Sequence, residues 1–286
     1  MMTCSPCSPA GKEQFFARIA QKTAVILSIC LLLTTAACGT LPNGRGWGQD
    51  ATIAPGWGRV GEAAWNALSA PETWAPAAGA LAFRINHADR NVSEWAAKST
   101  PVYGSQMKAA HMSDNLLKAS GVLWAASGIA TPGGPEAGEW IENKTKGFLV
   151  ETVGGISMRE TVAYLKNATD RTRPNGRDQA SFPSGHSSGA AVFATMTSKN
   201  IDTLGWSDGE VAAARIGLGA MTAATAWARV EANQHYPSDV LAGIVIGHFF
   251  GAFFTDAFLG IENPQHALLL FEPSKEGVVA TLSLGF

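Results

Sequence analysis

From Arg59 to about Phe258 the chain is patterned for α-helix: alanine and larger apolar residues recur at three- and four-residue spacings, and no long period-2 alternation interrupts them. A chain written this way must bury helix against helix, and its 286 residues are enough for one large domain or two small ones. Capping signals divide the pattern. Ser157 and Glu160, and again Ser207 and Glu210, stand at capping-box spacing. The first predicts the start of a helix carrying Lys166, the second a long helix running toward Arg229. Pro183-Ser184-Gly185-His186 predicts a third start, with the helix reaching about Lys199. Pro237-Ser238-Asp239 predicts a fourth that reaches about Phe258, with proline in its first turn. Gly217, Gly219, Ala220, Ala223 and Ala224 are small enough to let neighbouring helices approach closely. Val240–Thr255 is uncharged but short of a membrane span and interrupted by His248, so it reads as a buried core helix. The fold class expected is all-α, a helical bundle over residues 59–260.

The two ends are written differently. Lys12, Arg18 and Lys22 precede an apolar run, Ala24–Leu33, followed by the small residues Thr34–Ala37 and then Cys38. That is a secretory leader over 1–37, and small residues directly before a cysteine resemble a bacterial lipobox, in which the cysteine is acylated. All four cysteines (Cys4, Cys7, Cys30, Cys38) lie in the first 38 residues, leaving the body with no disulfide, thiolate nucleophile or cysteine metal site. Ordinary leader cleavage, with Cys38 incidental, is the alternative. Residues 38–58, rich in Gly and Pro, read as a lipidated tether, with Trp47 and Trp57 docking on the domain or resting at a membrane interface. Residues 261–286 form a C-terminal extension. There an apolar run at 267–271, a turn-like 273–277 and alternation at Val278, Ala280, Leu282, Leu284 and Phe286 predict a short β-hairpin.

Three blocks carry chemistry. They are Lys166 to Arg173-Pro174; Pro183-Ser184-Gly185-His186; and Arg229 to His235-Tyr236-Pro237-Ser238-Asp239. A phosphate ester is nearly a dianion and needs cationic donors on its non-bridging oxygens, which Lys166, Arg173 and Arg229 can supply. Ser184 and Gly185, at a helix start, add a hydroxyl and unpaired N–H groups where the helix dipole favours an anion. A neutral imidazole can approach phosphorus without charge repulsion. His235 and Asp239 are four apart, so Asp239 could accept the Nδ1 proton and free Nε2 to attack. His186, beside the cradle, is the available acid for the leaving alkoxide. No metal or cofactor is required by this set. The remaining histidines, His87, His111, His248 and His266, read as structural. Phe182, Trp227 and Tyr236 read as packing, with pocket wall the alternative.

These blocks resemble, in order, the signature of the type 2 phosphatidic acid phosphatase superfamily, which includes bacterial acid phosphatases and vanadium haloperoxidases. The resemblance covers roughly residues 60–260, with Ser181-Phe182-Pro183 and Tyr236-Pro237-Ser238 as further matching context. It implies an all-α bundle with the site between helices. It implies His235 as nucleophile, Asp239 as its orienting partner and His186 as general acid. Lys166, Arg173, Ser184, Gly185 and Arg229 would be the phosphate ligands. Two positions depart from the pattern: Ala228 replaces a serine common before the arginine, and only eight residues, 175–182, separate the first two blocks.

The expected activity is metal-independent hydrolysis of phosphate monoesters, lipid phosphates among the candidates, through a phosphohistidine. The expected location is the periplasmic face of a bacterial membrane, with the outer membrane favoured because Gly39 follows Cys38. The alternatives are a vanadium-dependent haloperoxidase, which would hold vanadate on the same ligands, and an integral membrane lipid phosphatase, for which several clean apolar spans are expected and not found. A net charge of -2 without a basic stripe argues against nucleic acid as a partner.

Overall fold

The computed structural model describes residues 39–85, 88–260, 267–274 and 277–284, the last two ranges as backbone. The leader over 1–37, the acylation at Cys38, and His87 and His266 lie outside the described residues. Among the described residues eight α-helices run in order: α1 (Trp57–Ser69), α2 (Pro71–Phe83), α3 (Ala88–Ser99), α4 (Gln106–Ala130), α5 (Ala137–Thr169), α6 (Gly185–Ile201), α7 (Asp208–Glu231) and α8 (Pro237–Phe254). The protein is all-α, as expected. Strands β1 (Ala267–Ser274) and β2 (Gly277–Leu284) pair antiparallel, with Ala267 opposite Leu284.

α6 is the central column, packed against α4, α5, α7 and α8. Most of its side chains are small, so it is buried on nearly every face, from Ser187 through Val192 and again from Thr195 through Thr197. Close approach to α8 depends on three glycines four apart. A Cβ on Gly243 would come within 2.5 Å of the Ser184 carbonyl, one on Gly247 within 2.2 Å of the Ser188 carbonyl, and one on Gly251 within 2.9 Å of Thr195. Of the small residues singled out on α7, Gly217 and Gly219 have no such role, since a Cβ on either would meet nothing. Their face of α7 is turned outward. Below the site, Met158, Val162, Val192 and Met196 form a core cluster joined by Trp124, Phe193, Ile246 and Phe250.

The capping signals are realised unevenly. Ser207 and Glu210 form the full capping box at the start of α7. Ser184 caps α6, accepting from the Ser187 N–H. Ser157, however, starts nothing: α5 is one continuous 33-residue helix, and the Ser157 carbonyl accepts from the Thr161 hydroxyl at 2.8 Å. An S-x-x-E pattern inside an established helix has no orphan N–H groups to satisfy. The α5 helix ends instead at Asp170, in the left-handed region at φ 46°.

α8 continues through a π-helical turn, Thr255–Leu259, and stops at Gly260. The combined helix Pro237–Leu259 is 23 residues long with mean hydropathy 1.6, which is long and apolar enough to cross a membrane. It ends within one residue of the expected Phe258, but its apolar window, read from the sequence as short of a span, reaches the length of one, with 44% of that window buried within the bundle.

The segment ahead of α1 is strapped to the bundle. Trp47 is fully buried, its Nε1 donates to Asn200 Oδ1 at 3.0 Å, and Lys144 Nζ lies 5.0 Å over its ring. Trp57, by contrast, is 91% exposed.

Candidate active site

The N-terminal ends of α6 and α8 meet at one end of the bundle, where the Ser184 N–H donates to the Asp239 carbonyl at 2.9 Å. The glycine notch on α8 makes this possible, and it brings the second and third blocks together. The C-terminal end of α5 and the loop after it supply the first block from the side.

His235 is almost fully buried just before α8, and its Nδ1 lies 2.7 Å from the Ser181 carbonyl oxygen. A carbonyl only accepts, so Nδ1 carries the hydrogen and Nε2 keeps a lone pair. That Nε2 faces Arg173 Nη1 at 3.3 Å. Burial first, then the charges of Arg229 and Lys166, push the His235 pKa down to about 4. The ring is thus neutral at ordinary pH, with its lone pair turned toward a guanidinium.

Asp239 acts differently from expectation. Its Oδ2 is 3.9 Å from His235 Nδ1, beyond hydrogen-bond reach. Its oxygens are taken by the Ser181 hydroxyl at 2.5 Å, the Tyr236 N–H at 2.9 Å and Arg171 Nη1. Ser181 is the intermediary, holding His235 through its carbonyl and Asp239 through its hydroxyl. Burial pushes Asp239 up, but His235, Arg171, Ser181 and the Tyr236 N–H outweigh it and hold the carboxyl below its usual range. Arg171 also bonds Asp89 at 2.6 Å and the Ser238 hydroxyl at 2.8 Å, and lies 4.2 Å over the Tyr236 ring.

The cations crowd one another. Lys166 donates to the Ala180 carbonyl at 2.5 Å, and burial together with Arg173 pushes its pKa down to about 8. Arg229 is 8% exposed, donates to Ser113 Oγ at 3.1 Å and leaves Nε without a partner. Burial and Arg173 lower its pKa to about 10. Arg173 is held by Asp178 at 2.6 Å and Gln234 Oε1 at 3.1 Å. Arg173 thus lowers the pKa of both Lys166 and Arg229, and desolvated cations crowded in this way form a site for an anion.

His186 lies in the first turn of α6, with Nε2 2.7 Å from Asp114 Oδ1 on α4. Gly185 precedes it, and a Cβ there would only touch Val162 at 3.9 Å, so the glycine leaves backbone N–H groups open without being forced by the packing.

All eight expected site residues therefore gather at this end of the bundle. Sequence reasoning missed Arg171 and Gln234, although each stands inside a block already singled out, and it named Ser181 only as matching context, without a role. It also missed Asp89 on α3 and Ser113 and Asp114 on α4, which carry no motif. Among the described residues no group of three or more His, Cys, Asp or Glu side chains is arranged to hold a metal ion.

A family model, the PAP2 superfamily, matches residues 149–260. No curated protein matches the chain. A solved structure, that of the first transmembrane PAP2 type phosphatidylglycerolphosphate phosphatase from Bacillus subtilis, is similar at 20% identity and a TM-score of 0.47, covering 62% of this chain and 88% of that one.

Proposed function

Taking as premise that the chain is a member of the PAP2 superfamily through residues 149–260, we propose that it hydrolyses phosphate monoesters without a metal, through a phosphohistidine on His235. The observation that carries this reading is the fixed tautomer of His235: Nδ1 donates to the Ser181 carbonyl and the Nε2 lone pair points at Arg173. A group held in that state is prepared as a nucleophile rather than as a proton donor.

In the proposed sequence the phosphate sits among Lys166, Arg173, Arg229 and the N–H groups at the start of α6, whose dipole favours it. His235 Nε2 attacks phosphorus as the bond to the leaving oxygen breaks, and His186 supplies that oxygen with a proton. The P–N bond is then cleaved by water, with His186 now neutral and able to take the water's proton. The positive charge that develops on His235 is opposed by the Asp239 carboxylate at 3.9 Å. Three guanidinium and ammonium groups do the charge neutralisation that a divalent ion would otherwise supply.

The substrate class is a phosphorylated small molecule or lipid. The leader pattern over 1–37, directly ahead of Cys38, supports a lipid-anchored enzyme on the periplasmic face of a bacterial membrane. Activity toward a panel of phosphomonoesters, measured with EDTA and, in separate EDTA-free assays, with vanadate, tests the reading. Turnover that persists in EDTA and is inhibited by vanadate is expected. Turnover abolished by EDTA and restored by a divalent ion would overturn it.

A further inference from the structure

His186 has a partner that the reaction scheme does not yet use. Its Nε2 lies 2.7 Å from Asp114 Oδ1, a hydrogen bond between a ring in the first turn of α6 and a carboxylate in the middle of α4. Asp114 is neither a helix cap nor a core residue, since its side chain is 47% exposed. It sits next to Ser113, which holds Arg229. One turn of α4 thus touches both the expected acid and a phosphate-binding arginine.

We propose that Asp114 is the positioning residue for the general acid, fixing hydrogen on Nε2 of His186 so that Nδ1–H is the proton delivered to the leaving oxygen. This rests on the phosphohistidine reading above. A carboxylate only accepts, so Nε2 must carry hydrogen, and the donated proton is then the one on Nδ1 of the imidazolium. The step balances: the ester P–O bond breaks as the P–N bond to His235 forms. The departing oxygen takes the Nδ1 proton, and His186 is left neutral with Nε2–H still on Asp114. In the second step the Nδ1 lone pair takes a proton from the water that displaces His235.

The charges around His186 make such a partner necessary. Burial lowers its pKa, and Arg229 and Arg173 lower it further, while the hydrogen bond and charge of Asp114 raise it. Asp114 itself is held low, first by its bond to His186 and also by Arg229 and Lys118. The other charged or titratable groups of the site are Lys166 at the end of α5, Arg171 and Asp178 in the loop after it, Asp89 on α3, His235 just before α8 and Asp239 in its first turn. Among the groups acting on His186, Asp114 is the one that keeps the imidazolium available against two guanidiniums.

The experiment compares Asp114→Asn and Asp114→Glu in the full chain, with an alkyl phosphate and with p-nitrophenyl phosphate. Asn keeps an acceptor for Nε2–H but removes the charge. Because positioned acids contribute about 10²–10⁴-fold, Asp114→Asn is expected to lose about 10–100-fold in kcat/KM on the alkyl ester, the parameter that reports phosphoenzyme formation and not its hydrolysis. It should lose little in kcat/KM on the nitrophenyl ester. The alkaline limb of kcat/KM for the alkyl ester should move to lower pH, since the group that raises the His186 pKa is gone. Asp114→Glu should recover part of the loss. Equal losses on both esters, or a pH limb that does not move, would overturn the proposal. His186→Ala is the control: if it lacks the same leaving-group selectivity, the acid assignment itself is wrong and the role of Asp114 falls with it. If it shows that selectivity and Asp114→Asn does not, only the role of Asp114 is refuted.

Discussion

Replacing Arg171 with alanine tests how the nucleophile is held. The guanidinium bridges two carboxylates, Asp239 and Asp89, and its side chain is 19% exposed against 0% for Asp239. Removing one partner of a buried ion pair costs about 3–5 kcal/mol because a desolvated charge is left behind. Partial exposure of Arg171 argues for the lower end, about 3 kcal/mol, or about two powers of ten in the folded-to-unfolded ratio. With a urea m-value of about 2–3 kcal/mol per molar, the midpoint should fall by about 1–1.5 M. The sign of the pH dependence follows from Asp239. Its carboxyl is held below the usual range partly by Arg171, so the stability it contributes is present above the unfolded value of about 3.9 and lost as pH falls. Without Arg171 the Asp239 pKa rises, so the deficit should be largest near pH 7 and shrink toward pH 4. Arg171→Lys should recover only part of it, since an ammonium cannot bridge both carboxylates and cover the Tyr236 ring. Urea unfolding at both pH values is the assay. A deficit below about 1 kcal/mol at pH 7, the range of an exposed ion pair, or one equally large at pH 4, would refute the reasoning.

Two further outcomes are expected. Trp47→Ala should destabilise the protein by about 3–5 kcal/mol in thermal or urea unfolding while leaving kcat unchanged, because Trp47 packs at Asn200, Lys144 and Gly147, far from the Lys166 end of α5. Sulfate, a dianion throughout the range, should inhibit more weakly as pH rises through about 8, where the depressed Lys166 loses its charge; inhibition constants across pH 6–10 should show that break in the wild type and not in Lys166→Met.

The helical pattern, the α7 cap and the three chemical blocks were legible because each is a local signal with a physical cause. What was not legible is where helices touch. Gly243, Gly247 and Gly251 stand at four-residue spacing, but nothing in one sequence says which face meets α6, and the glycines of α7 looked equally suitable. Ser157 and Glu160 carry a capping signal that the continuous helix leaves unused. Asp89 and Asp114 are ordinary helix carboxylates until the fold brings them to Arg171 and His186, many residues away. The role of Asp239 was inferred from its spacing to His235 and from the family resemblance, and the intervening Ser181 could be seen from neither.

The central claim is that His235 becomes covalently phosphorylated. Rapid quenching of wild-type enzyme with a labelled phosphomonoester, under alkaline conditions that preserve P–N bonds, followed by peptide mass spectrometry, measures it directly. The account requires a transient phosphoryl group on the His235 peptide, formed and hydrolysed at rates that accommodate turnover and absent in His235→Ala. Turnover retained by His235→Ala, or label on another residue with His235 unmodified, would contradict it.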